Sequence, residues 1–92
     1  QKSDRDFAFL VNKSTQAQDL IDLIQNIDRS LIKKIKIFDV YEGENIPSDK
    51  KSIALKVTIQ SDFKTLNEKD LNEISQKIIS TVEKQASAKL RS

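Results

Sequence analysis

The 92 residues include no cysteine, histidine, methionine or tryptophan, and only one glycine, one proline and one tyrosine. Each absence excludes a class of chemistry. Without cysteine there are no disulfides, iron–sulfur clusters or thiolate zinc sites. Without histidine, imidazole catalysis and His-based metal sites are excluded as well. A single glycine cannot build a phosphate-cradling loop. The carboxylates are scattered, so the chain offers no catalytic centre of its own. No apolar run approaches the roughly 18 residues of a membrane span, and no signal peptide is visible.

What is present is enough for one domain and no second core. A chain of this size buries roughly two-thirds of its unfolded surface and folds without staples. It opens at Gln1 without a methionine and is expected to be a piece of a longer protein. The net charge is only +2, with pI near 8.9, too weak to argue nucleic-acid binding from charge alone. Arg29, Lys33, Lys34 and Lys36 do cluster without an acid among them, and Lys50 and Lys51 follow. Such clusters are usually solvated faces.

Periodicity orders the chain. Arg5 to Asn12 carries Phe7, Phe9 and Val11 in alternation and is a first strand. Ser14 or Thr15 is expected to cap a helix, Thr15 and Gln18 fitting a capping box. Ala17, Leu20, Ile21, Ile24 and Ile27 make its apolar stripe, and Asp28–Ser30 ends it. Leu31 to Tyr41 is a second strand with imperfect alternation: Ile35 and Ile37 share one parity, Phe38 and Val40 the other. A bulge or a change of packing near Ile37 resolves this. Residues 42–50 hold Gly43 and Pro47 and form a turn. Ser52 to Gln60 is a strictly alternating third strand. Asn67 caps a second helix to about Gln85, with Leu71, Ile74, Ile78 and Val82 as its stripe. Ser87 to Arg91 forms a last strand with Ala88 and Leu90 inward. The first four residues and the last one or two are expected to be loose.

This β-α-β-β-α-β order is the split βαβ, ferredoxin-like, α+β arrangement. It implies a four-stranded antiparallel sheet, spatial order 4-1-3-2, with both helices on one face. Phe7, Phe9, Phe38 and Phe63 are assigned to the core. Alternation then sends Val40, Ile53 and Leu55 to one face and Ala8, Leu10, Asp39, Tyr41, Ser52 and Ala54 to the uncovered one. A flat phenol ring stacks on an unpaired base, two carboxylate oxygens suit the paired N–H donors of guanine, and alanines let a base lie against the sheet. The plainer reading of the same residues is an ordinary solvent-facing sheet. Lys51 is either a phosphate contact or simply solvated. Arg5 and Arg91 either hold a nucleic-acid backbone or pair with a nearby acid.

Arg5-Asp6-Phe7-Ala8-Phe9, Phe38-Asp39-Val40-Tyr41-Glu42-Gly43, Ile46-Pro47, Lys50-Lys51-Ser52-Ile53-Ala54, Thr65-Leu66-Asn67 and Ala88-Lys89-Leu90-Arg91 together resemble the ferredoxin-fold anticodon-binding domain that closes the β subunit of bacterial phenylalanyl-tRNA synthetase. The likeness runs from about Ser3 to Ser92. It implies a tRNA anticodon stem-loop as partner, with Ala8, Asp39, Tyr41 and Ser52 as anticodon contacts. It also implies a cytoplasmic α2β2 parent that joins phenylalanine to tRNA using ATP and magnesium, neither of them held by this domain, with catalysis in the α subunit. Asn67 stands where that family often has Thr or Ser, and Lys89 where an uncharged or acidic residue is frequent.

Two rivals share the topology. A general RNA-recognition module carries aromatics on its third strand, where this chain has Ser52, Ala54, Lys56 and Thr58. A small-molecule regulatory domain often has a Gly-containing turn after the first strand, where this chain has Asn12-Lys13-Ser14.

Overall fold

The computed structural model describes all 92 residues. The elements run β1 Ser3–Asn12, α1 Ala17–Gln25, β2 Ile32–Tyr41, β3 Lys50–Ile59, α2 Glu68–Gln85 and β4 Lys89–Leu90. All four strands join one sheet in the order β2-β3-β1-β4, with antiparallel pairing throughout. This is the α+β, ferredoxin-like arrangement expected from the alternation of periods.

One core holds the two layers together. Phe7, Phe9 and Val11 of β1, Ile32 of β2, and Ile53, Leu55, Val57 and Ile59 of β3 face Leu20 and Ile24 of α1 and Leu71, Ile74, Ile78 and Val82 of α2. Fully burying one such side chain contributes about 1.5–3 kcal/mol. α2 starts as its sequence dictates. Asn67 Oδ1 accepts from the Asp70 amide at 2.8 Å, and Asp70 Oδ2 accepts from the Asn67 amide at 3.1 Å. At its far end Ser87 adopts a left-handed backbone (φ 51°) that turns the chain into β4. Glu83 Oε2 then accepts from the Leu90 amide at 3.0 Å.

Several boundaries differ from the sequence reading. The cap of α1 is Gln16, whose amide donates to Asp19 Oδ2 at 2.9 Å, so the capping carboxylate sits one residue beyond the expected Gln18. The helix ends at Gln25, because Asp28 forms a separate turn: its Oδ1 accepts from Ser30 Oγ and from the Ser30 and Leu31 amides. Gln1 and Lys2 lie outside any element, but the rest of the supposed loose ends is tied down. Ser3 and Asp4 pair with Ile59 and Thr58, and the Ala8 amide donates to the Ser92 carbonyl at 2.8 Å.

The assignment of Phe38 and Phe63 to the core is corrected. Phe38 is 53% exposed and Phe63 is 93% exposed. Phe63 lies in the β3–α2 connection, where the Phe63 amide bonds Ser61 Oγ and the ring has no helix above it. Phe38 lies on the edge strand β2 with its ring beside Asp6, Lys36 and Lys56, on the side of the sheet away from the helices. From Phe38 to Asp49 every residue except Ile46 is exposed. Val40 is on the helix side of the sheet opposite the fully buried Ile53, but on the edge strand it is half exposed.

Candidate nucleic-acid interface

Directly opposed residues on an antiparallel ladder share a face, so register alone maps the side of the sheet away from the helices. Ala8 opposes Ala54, and Ala54 opposes Asp39. Leu10 opposes Ser52, and Ser52 opposes Tyr41. Two adjacent transverse rows therefore bring Ala8, Asp39, Tyr41, Ser52 and Ala54 together from three strands. β4 extends both rows. Lys89 opposes Leu10, and the Arg91 amide donates to the Ala8 carbonyl. Below them lie the rows Asp6–Lys56–Lys36 and Asp4–Thr58–Lys34.

The face exists in this form because β2 is bulged. The register steps between Ile37 and Asp39, leaving Phe38 as an extra residue. An unbroken alternation would have turned Asp39 and Tyr41 towards the helices. With the bulge, Phe38 and Asp39 both reach the open side, Phe38 lining a shallow depression with Asp6, Lys36 and Lys56. A second step between Ile32 and Lys34 occurs at the start of the strand.

The sequence-derived site residues differ in accessibility. Asp39 is exposed. Tyr41 is 39% exposed, and its hydroxyl donates to the Glu44 carbonyl at 3.2 Å. Gly43 packs on the edge of that ring. Its φ is +140°, and a Cβ there would stand 3.0 Å from Tyr41 Oη. Ser52 is only 4% exposed; it lies between Leu10 and Tyr41 in its row, and Arg91 Nη1 donates to its Oγ at 3.3 Å. Arg91 thus sits on the open face. Arg5 does not: it opposes Val57 on the helix side and pairs with Glu68 at 3.2 Å, the acid option of the two left open. Lys51 opposes Val11, also on the helix side.

Charge is unevenly distributed. Lys34, Lys36, Lys50, Lys56, Lys89 and Arg91 share the open face with Asp4, Asp6 and Asp39. Six cations against three carboxylates leave a surplus of three, more than the +2 of the whole chain. The basic run seen in the sequence divides. Lys33 pairs with Asp62 at 2.9 Å and Arg29 bonds Asn26, while Lys34 and Lys36 point to the open side.

Comparison with known proteins gives the family. Residues 1–91 match the model of the ferredoxin-fold anticodon binding domain. The chain belongs to that family. The domain is 40% identical over 91 residues to the phenylalanine–tRNA ligase beta subunit of Rickettsia bellii, covering 99% of this chain and 10% of that protein. The corresponding figures for the same subunit of Bradyrhizobium diazoefficiens are 41%, 99% and 11%. For that of Rickettsia felis they are 40%, 99% and 11%. The chain therefore spans about a tenth of the length of these relatives. No helix of the anticodon-binding domain is long and apolar enough to cross a membrane.

Sequence reasoning missed two features of the domain's open face. Phe38 was the first, although the broken parity around it was the signal: a bulge places two successive residues on one side. The cation surplus was the second, and it needs the register of all four strands.

Proposed function

We propose that this chain binds the anticodon stem-loop of a phenylalanine tRNA through the open face of its sheet. In this reading Tyr41 stacks on an anticodon base and Asp39 accepts from the Watson–Crick edge of guanine. Ala8 leaves room for the base, and Ser52 adds a hydrogen bond once Arg91 swings away. The observation that carries it is the convergence of these four residues from three strands on an uncovered face with surplus positive charge. The third strand carries no exposed ring, which disfavours a general RNA-recognition module, and membership of the anticodon-binding family disfavours a small-molecule regulatory domain.

We further propose that the chain is the tRNA-gripping part of a phenylalanine–tRNA ligase β subunit, within a cytoplasmic α2β2 enzyme. Its role there is to hold the substrate while ATP-dependent, magnesium-dependent charging proceeds elsewhere. This chain brings no donor set for those groups: no three carboxylates converge to hold a metal ion, and the lone glycine builds no phosphate loop. The test is a titration of the chain with the anticodon stem-loop of a phenylalanine tRNA and with one carrying an unrelated anticodon. Tighter binding of the first is expected. Equal binding of both contradicts the reading.

A further inference from the structure

We infer that Phe38 is a second stacking platform on the open face, and that with Lys36 and Lys56 it takes a further unpaired nucleotide of the same RNA, next to the one on Tyr41. This rests on the reading of the open face given above and extends its footprint. Three observations support it.

The ring is exposed in mid-strand, not at a turn, and its position is created by the bulge between Ile37 and Asp39. Bulges commonly re-aim a side chain beside a binding site. Its neighbours have the chemistry of a nucleotide pocket: Lys36 and Lys56 border the same depression. The four ion pairs of the molecule use Arg5, Lys13, Lys33 and Lys64, so both ammonium groups are free for a phosphate. Asp6 also borders the depression, but from β1, on the far side of Lys56 from Lys36. Finally, Phe38 and Tyr41 are three residues apart on one strand. At about 3.3 Å per residue their backbones lie about 10 Å apart or less. One base cannot cover both rings, whereas successive nucleotides of one strand can.

The experiment is a fluorescence titration of the 92-residue chain with a phenylalanine-tRNA anticodon stem-loop carrying 2-aminopurine in turn at each loop position flanking the anticodon guanine. Stacking on Phe38 is expected to quench one of these probes. Phe38→Ala and Phe38→Leu should abolish that quenching and weaken binding roughly 5- to 150-fold, while Phe38→Trp restores both. The leucine variant keeps apolar bulk, so a merely structural role would leave its binding intact. Thermal melts confirm that each variant is folded; should the alanine variant not fold, the leucine and tryptophan pair gives the same answer. Lys36→Gln and Lys56→Gln should each flatten the salt dependence of binding. Tyr41→Ala serves as the reference. If it weakens binding while the Phe38 variants bind and quench like the parent, the second platform is overturned and the first reading stands, leaving a protein contact as the use of the exposed ring. If neither affects binding, the open face is not the RNA surface and both fall.

Discussion

Arg91, at the end of the chain, reaches across the strand that carries Ala8 to donate from Nη1 to Ser52 Oγ at 3.3 Å. The two residues lie on β3 and on the continuation of β4, with β1 between them. This bond closes the open face over its most buried polar side chain. It also leaves a guanidinium at the rim of the proposed base site, where an RNA backbone would pass.

Arg91→Ala is therefore expected to weaken stem-loop binding and to reduce the slope of log K against log salt by about 0.7, the share of one phosphate on a single strand. Titrations at several salt concentrations check this. An unchanged slope would confine Arg91 to its bond with Ser52.

The phenol ring gives a paired prediction. Tyr41→Ala should cost about 1–3 kcal/mol of binding and little thermal stability, since the ring is exposed and its hydroxyl bonds only the Glu44 carbonyl. Gly43→Ala should weaken binding as well, although residue 43 is assigned no RNA contact. The added Cβ meets the ring edge at 3.0 Å, and φ of +140° strains any L residue. Affinities and melting temperatures of both variants, measured side by side, separate displacement of the ring from loss of fold.

For Asp39→Ala the expectation is loss of discrimination rather than of all binding. The variant should no longer distinguish guanine from adenine at the corresponding anticodon position. Competition between the two stem-loops measures it, and retained preference would take the carboxylate out of base recognition.

In the core, Leu55→Ala should destabilise by about 2–5 kcal/mol, because Leu55 is fully buried between Phe7 and Ile37 in the sheet and beneath the helices. Ile74→Ala on α2 belongs to the same core and should behave similarly. Chemical denaturation reads both; a neutral result would mean that the strand or helix parity is wrong.

The Asp28 turn predicts an acid limb. Hydrogen bonding from the Ser30 hydroxyl, opposed by partial desolvation and aided by the Leu31 and Ser30 amides, holds the Asp28 carboxyl below the usual carboxylate range. A carboxyl depressed in the folded state stabilises the fold above its unfolded pKa, and this contribution fades as pH falls through the folded value. Asp28→Ala should lose that part of the pH dependence while leaving stability above neutral pH flat. Melting temperatures between about pH 2 and 7 test it, the ordinary aspartate value being about 3.9.

The two apolar stripes, the strict alternation of β3 and the Asn67 cap made the layers and strand order legible from sequence, since each is a local pattern with one period. The faces of Ala8, Ser52 and Ala54 followed from the same alternation. Asp39 and Tyr41 reach that face by alternating with Val40, which the bulge beside Ile37 brings opposite Ile53. Phe38 was missed because the same bulge turns two successive residues outward, onto the side of the sheet that no helix covers. The burial of Ser52 was not legible. The hydroxyl accepts from a guanidinium 39 residues away in the chain, brought near by two strand pairings.

Whether the open face is the RNA surface is read directly from a backbone amide chemical-shift map of the chain with a phenylalanine-tRNA anticodon stem-loop added. The largest shifts are expected on Ala8, Asp39, Tyr41, Ser52 and Ala54, with α1 and α2 nearly unmoved. Shifts concentrated on the helices, with the open face silent, would contradict the proposed RNA surface.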